Sequence, residues 1–294
     1  MQTLQGKCVV VNADDFGFSP EITEGILRAH RRGIVTSTTV AANMPSAADA
    51  VARLVEAPSL GVGVHLNVSQ GPPLSDAGRR LAGAGGVMDR SAMGVLLACA
   101  ARPGLLDAVA AEFDAQIRWL LDRGVHPTHL DSHRHIHAFP AVFPRVLALA
   151  RRYDVRAIRW CSETLPGGGW PAAEARQLAV ARAVDACSRL GALLAGGRRL
   201  RACRGTWGIA HTGRVDAEWL VRTAARVRRG AWEIMTHPGL DGAAETPTRL
   251  TARRAELDAL CDPRVRAAFE RNGVQLVHYG QLVHRNPDGA AAGG

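Results

Sequence analysis

Cys8-Val-Val-Val-Asn-Ala-Asp-Asp-Phe-Gly17, followed by Phe18-Ser19-Pro20, is the stretch from which the fold can be read. Three consecutive valines form a β-branched run that reads as a buried strand. The run ends in two carboxylates. Ser19 then stands as N-cap with Pro20 at the first helical position, which predicts a helix over 20–32. A strand that enters a helix through a short polar turn is the repeating unit of a parallel sheet. No Gly-x-Gly-x-x-Gly follows the strand, which argues against a dinucleotide-binding crossover.

The same alternation recurs along the chain. Further strands are predicted at 36–42, 61–68, 128–131, 157–160, 202–207, 232–235 and 274–277. Helical patterns fill the gaps at 46–56, 105–123, 141–153, 172–194, 216–228 and 250–271. So many units in 294 residues predict an α/β fold, an irregular (β/α) barrel of about seven or eight parallel strands rather than a doubly wound sheet. One catalytic domain is expected over 1–285. Within it, the long Gly/Ala-rich stretch 71–103 is an insertion able to cover a site as a lid, and 166–170 is a second loop. Residues 286–294 are expected to be a disordered tail.

Composition narrows the function classes. The chain is 47% hydrophobic, enough for a sizeable core, yet no run approaches the ~18 apolar residues of a membrane span. Residues 1–7 carry none of the parts of a secretory leader, so a soluble, cytoplasmic protein is expected. The net charge of +9 suggests nucleic acid, but the arginines are scattered along helical segments, as at Arg222, Arg226, Arg228 and Arg229. Such groups are usually solvated helix faces. With 5% aromatics there is no interleaved stacking platform, and no nucleic-acid partner is expected. The six cysteines contain no Cys-x-x-Cys pair and read as reduced thiols.

In parallel barrels chemistry gathers at the C-terminal ends of the strands. Here those ends carry Asp14-Asp15, Asn43, His65 with Asn67, the run from His129 to His137, Arg159-Trp160, Trp207 and His237. Each alone has an ordinary reading: an Asp pair caps a turn, and a lone histidine sits satisfied in a core. Together, two carboxylates and several histidines at separate strand ends predict a mononuclear metal site with open positions. One aspartate suffices as ligand, which frees its neighbour to act as a base. Within the histidine run, an extended chain would put 133, 135 and 137 on one face, and a helical one only 133 and 137.

Asn12-Ala-Asp-Asp-Phe-Gly17, Gly63-Val-His-Leu-Asn67, His129-Leu-Asp-Ser-His-Arg-His-Ile-His137 and Met235-Thr-His-Pro-Gly239 resemble, in this order, the motifs of the YdjC-like carbohydrate deacetylases. That family includes chito-oligosaccharide deacetylases and hopanoid-biosynthesis-associated relatives. The resemblance covers about 8–240. It implies an irregular barrel related to polysaccharide deacetylases and one divalent cation held by Asp15, His65 and His133, with Asp14 as general base. Magnesium is the metal commonly associated with the family, whereas histidine ligands suit zinc by softness. Arg159 matches an arginine expected after the fifth strand, but Trp160-Cys161 replaces a smaller, proline-containing stretch. His135 and His137 belong to the motif, either as orienting groups or as a ligand in place of His133.

The predicted activity is removal of the acetyl group from an N-acetylated amino sugar, an N-acetylglucosamine-containing oligosaccharide or glycolipid. His237 would protonate the departing amine. Asn43, Arg159 and Trp207 are the candidate substrate contacts, and Trp160 and Trp170 are further candidates for stacking on a sugar ring. The alternatives are a metal-dependent phosphoesterase or amidohydrolase, which usually wants two metals, and a non-catalytic sugar- or nucleic-acid-binding barrel. Homo-oligomerisation stays open.

Overall fold

The computed structural model describes residues 6–163, 175–196, 200, 203–242 and 247–285. In chain order its elements begin with β1 (Lys7–Phe16), α1 (Pro20–Arg32), β2 (Ser37–Val40), α2 (Ala47–Ala52), β3 (Gly61–Leu66), β4 (Gln70–Gly71) and β5 (Met88–Asp89). Next come α3 (Ala92–Ala101), α4 (Leu105–Leu121), β6 (Leu130–Ser132), α5 (Phe143–Arg152), α6 (Ala175–Leu194) and β7 (Thr206–Trp207). The chain closes with α7 (Ala217–Arg226), β8 (Gly230–Thr236), α8 (Pro247–Leu260), α9 (Pro263–Arg271), β9 (Val274–Leu276) and α10 (Tyr279–Arg285). The predicted loop 166–170 and tail 286–294 lie outside the described residues.

β1 is the spine. Val9, Val10 and Val11 are fully buried, as expected of a central parallel strand covered on both faces. Among the described residues, seven parallel strands form a curled sheet in the order β6-β3-β2-β1-β8-β7, with β9 also paired to β1. β9 takes the entry half of β1 at Lys7–Val9, and β2 takes the exit half from Asn12 onward. The start of α1 follows the sequence reading: the Ser19 hydroxyl accepts from the Ile22 N–H, and Pro20 opens the helix.

Two predicted elements are corrected. The stretch 157–160 is not a strand; Ile158 makes a single bridge to Leu130, and the Ser162 N–H turns back to the Trp160 carbonyl at 2.8 Å. The segment still bonds both neighbours, Arg159 N–H to Leu130 O at 2.9 Å and Thr206 N–H to Ser162 O at 3.1 Å. The regular ladders therefore form a half-barrel, with an irregular segment spanning β6 and β7. The single helix predicted over 250–271 is two helices, because Asp262 caps α9 through the Arg264 N–H and Pro263 starts it.

The insertion is ordered, with the β4–β5 pair, a 3₁₀ turn at Ala77–Leu81 and α3. Buried Glu112 on α4 accepts from the Leu74 and Ser75 N–H groups at 2.9 and 2.8 Å and pins its start.

α1 also passes very close to the loop after β8. A Cβ on Gly25 would stand 2.5 Å from the Cα of Gly239, where backbone meets backbone and no side chain can give way. Gly25→Ala should therefore destabilise the fold by about 1–3 kcal/mol, the usual range for overpacking. Thermal unfolding of the two proteins side by side will show whether the midpoint falls.

Candidate active site

The Asp14-Asp15 pair owes its geometry to a bulge. Between Ala13 and Phe16 the register of β1 on β2 slips, and Asp15 adopts φ +73°, in the left-handed region that non-glycine residues seldom enter. The slip turns adjacent carboxylates in different directions, and each meets its own arginine. Asp14 accepts two bonds from Arg159, Nη1 to Oδ2 at 2.7 Å and Nη2 to Oδ1 at 2.6 Å. Asp15 Oδ2 accepts from Arg253 Nη2 at 2.5 Å.

β3 and β6 supply the next pair. Their parallel register places His65 beside Asp131, and the His65 Nδ1 lies 2.8 Å from Asp131 Oδ1. The Thr39 hydroxyl donates to Asp131 Oδ2 at 3.1 Å. With Nδ1 taken by the Asp131 carboxylate, the His65 Nε2 faces Asp15 Oδ1, 3.3 Å away, and is the nitrogen that would give up its proton to a bound cation.

His133 completes the cluster from the turn after β6. The 3₁₀ segment His133–Ala138 is neither extended nor regularly helical, since Arg134 and His135 have φ of 57° and 56°. That kink separates the histidines. His133 Nδ1 lies 3.3 Å from Asp15 Oδ1. His137 instead places Nδ1 2.6 Å from the Ser132 hydroxyl and Nε2 3.3 Å from the Arg159 carbonyl. His135 and His137 approach the Cys161 sulfur at 3.7 and 3.5 Å.

Asp15, His65 and His133 thus offer one oxygen and two ring nitrogens, all within 4.8 Å of one another. Two atoms held at ~2.1 Å from a common ion at a tetrahedral angle stand about 3.4 Å apart, so the two 3.3 Å separations suit a metal. Asp15 Oδ1 is buried and forms no hydrogen bond in the described structure, although it faces two imidazoles. A buried carboxylate oxygen that two ring nitrogens face at 3.3 Å without a short hydrogen bond fits a ligand atom. Asp14, His65 and Asp131 form a second close set. There the Arg159 guanidinium already bonds both carboxylates, reaching Asp131 Oδ2 at 2.8 Å.

The electrostatics follow from burial and these arginines. Burial would raise both aspartates of the pair, but Arg159 holds Asp14 below the ordinary carboxylate range. Arg253 and the two imidazoles hold Asp15 well below it. Burial alone would push His65 down, yet Asp131 and its neighbouring carboxylates hold it up to about 10. Burial keeps His133 below its usual value and takes His137 down to about 4. His237 is also lowered by burial, only partly offset by Asp14 and Asp15. Its side chain is 21% exposed, against 2% for Asp14, and its Nε2 stands 4.0 Å from Asp14 Oδ2.

Three sequence-based candidates for substrate contact have other engagements. Arg159 is fully buried and bonds Asp14, Asp131 and Glu233, so it lies beneath the site. The Asn43 amide donates to the Gln70 and Pro72 carbonyls and accepts from Asn67, which ties down the insertion. Trp207 stacks on Trp232 with ring centroids 4.7 Å apart and is 7% exposed, and Trp160 is similarly buried in the core. Trp170 lies outside the described residues.

Sequence reasoning missed Arg253, Glu256 and Glu233. A glutamate inside the apolar run Trp232-Glu-Ile-Met235 was a readable signal, because a charge in a buried strand needs a partner. Nothing distinguished Arg253 among the arginines of a helical pattern.

A family profile described as YdjC-like protein matches residues 8–271. A carbohydrate deacetylase of Halalkalibacterium halodurans is 42% identical over half of this chain, an aligned stretch that spans 61% of that relative. The human carbohydrate deacetylase is 34% identical over 95% of this chain and 92% of its own length. A chitooligosaccharide deacetylase of Enterobacter is 32% identical over 92% of this chain and 97% of its own. Among solved structures, one described as a candidate cellobiose-phosphate cleavage protein of Enterococcus faecalis superimposes with a TM-score of 0.74. It is 26% identical and covers 94% of this chain and 99% of its own.

Replacing Asp15, His65 or His133 by Ala should remove stoichiometric metal from the purified protein, whereas His137→Ala should retain it. Elemental analysis after dialysis gives the answer. Metal lost from His137→Ala and kept by His133→Ala would reverse the assignment.

Proposed function

The chain belongs to the YdjC-like family, and from that membership and the site geometry we propose that it is a metal-dependent hydrolase that deacetylates an N-acetylated amino sugar. One observation carries the reading: Asp15 Oδ1, from a strand bulge, faces ring nitrogens of His65 and His133 at 3.3 Å each. A divalent cation held by these three residues would activate water and polarise the acetamide carbonyl. The family resemblance favours magnesium, and the two imidazoles suit zinc.

The chain's own groups then divide the proton transfers. Asp14, kept ionised by Arg159 and further held by the Asn12 amide at 2.8 Å, takes the proton of the attacking water. His237, its pKa lowered by burial and so neutral at rest, stands 4.0 Å from Asp14, beyond direct hydrogen-bond reach, and receives that proton through a bridging water. It then delivers the proton to the nitrogen as the amide C–N bond breaks. Acetate and a free amine result. Of the proposed ligands and proton-transfer groups, His237 and His133 are the most open, with side chains 21% and 11% exposed, so the sugar approaches from their side. The insertion touches that side, where Arg134 Nη1 donates to the Arg90 carbonyl at 2.6 Å, and it serves as a cover.

The relatives named for chitooligosaccharides and carbohydrates support an N-acetylglucosamine-containing oligosaccharide or glycolipid as substrate. A screen of acetate release over acetylated mono-, oligo- and lipid-linked amino sugars, with metal content measured alongside, tests this. Metal-loaded protein that releases no acetate from any of them would sink the reading.

Two variants separate the roles. Asp14→Asn keeps the shape and one of the two acceptors that Arg159 uses but cannot accept a proton; in protein shown to be folded it should keep its metal and lose about 10²–10⁴-fold in turnover. His237→Ala should lose about 10²–10⁴-fold on an acetamide, whose amine leaves only when protonated, and far less on an activated aryl acetate. An equal loss on both substrates would remove His237 from the role of acid.

A further inference from the structure

α8 contributes nothing to the motifs, yet two of its side chains reach the site from beneath. Arg253 and Glu256 stand one turn apart on one face of the helix and are 5% and 1% exposed. Arg253 Nη2 bonds Asp15 Oδ2 at 2.5 Å, while its Nη1 donates to the His237 carbonyl at 3.4 Å. Glu256 Oε2 accepts the His237 N–H at 2.7 Å, and its Oε1 accepts the Gly213 N–H at 3.2 Å. The Gly239 N–H returns to the Arg253 carbonyl at 3.2 Å.

We propose that Arg253 and Glu256 are positioning residues that make α8 a common platform for the metal-ligand carboxylate and the proton donor. The proposal rests on the reading of Asp15 as ligand and His237 as acid. A carboxylate has two equivalent oxygens and a nearly free terminal torsion. A guanidinium on Oδ2 fixes that torsion and leaves Oδ1 as the oxygen turned to His65 and His133. Outer partners of this kind orient ligands and typically change metal affinity about 10–100-fold. At His237 the grip is on the backbone: Glu256 holds the amide before the residue and Arg253 the carbonyl after it. The Cα from which the imidazole projects is thereby held relative to Asp14, and Pro238 adds rigidity to the turn.

The test titrates the full-length apoprotein with Co²⁺, whose visible absorption reports imidazole and carboxylate ligation, and follows acetate release separately. Asp15→Ala should abolish Co²⁺ binding. Arg253→Ala should weaken it about 10–100-fold. Arg253→Lys should recover part of the loss, because an ammonium can still reach one oxygen, and Arg253→Gln should not. Glu256→Ala should leave Co²⁺ affinity in place but lower kcat on an acetamide more than on an aryl acetate, with KM little changed. Circular dichroism confirms folding. The Lys–Gln pair carries the test if Arg253→Ala does not fold, and Glu256→Gln stands in for Glu256→Ala.

Unchanged Co²⁺ affinity in a folded Arg253→Ala protein, with binding abolished by Asp15→Ala, would overturn the role given to Arg253. Unchanged affinity in Asp15→Ala would remove the metal assignment and this proposal with it. Equal losses on both substrates in Glu256→Ala would overturn the role given to Glu256.

Discussion

Three of the carboxylates at the C-terminal edge of the sheet are arranged around the buried guanidinium of Arg159. It bonds Asp14, Asp131 and Glu233, side chains that are almost wholly withdrawn from water. Burying any one of those carboxylates alone would be prohibitive, and so would burying the arginine. The geometry satisfies them jointly, because the planar fork presents several donors in fixed directions. Glu233 retains a carboxyl raised by burial despite Arg159, and Thr206 and Tyr279 complete its shell with hydroxyls at 2.7 Å. Strands β1, β6, β7 and β8 are thereby tied together where the irregular segment 157–162 replaces a strand. The site and the closure of the fold share one interaction.

Beside it, the bulge in β1 resolves a difficulty that two adjacent aspartates would otherwise create. Like charges a residue apart, both buried, would drive one of them to hold a proton. Here Asp14 turns to Arg159 and Asp15 to Arg253, so both stay ionised by different partners. The roles proposed for them, base and metal ligand, need this separation of environments, since each carboxylate must keep its charge for a different task. The positive φ at Asp15 is the local cost of that arrangement.

How much of this was legible in the chain depends on how local each interaction is. Strand ends, the Ser19-Pro20 helix start and the motif around His65 could be read because a few neighbouring residues determine them. The histidine run showed that a site was present but not which ring serves it, because the left-handed pair Arg134-His135 fits neither of the two simple periodicities. Arg159 was read as a substrate contact; an arginine after a strand says nothing of how deeply it is buried or which acids surround it. Arg253 meets Asp15 across a separation of 238 residues, from a helix whose pattern is otherwise ordinary. Such pairing is a property of the fold and leaves no trace in spacing. Trp207 and Asn43 were drawn to the site by position alone, and packing on Trp232 and anchoring of the insertion are what the fold does with them.

The same arginine bears on the number of metals. Among the described residues, two sets of donors lie close enough to hold a cation, and His65 belongs to both. In the second set the positive charge between Asp14 and Asp131 is already supplied, with Arg159 Nη1 within 2.7 and 2.8 Å of their oxygens. A divalent ion placed there would have to displace a guanidinium that Glu233 also holds. It would leave that guanidinium buried beside a second cation, with repulsion in a medium of low dielectric. His65 cannot serve both sets either, because its Nδ1 faces Asp131 and only Nε2 remains for a metal. A phosphoesterase built on paired metals needs a second open donor set. In this chain that place is taken by Arg159, which three carboxylates hold, and His65 is left to the set it forms with Asp15 and His133.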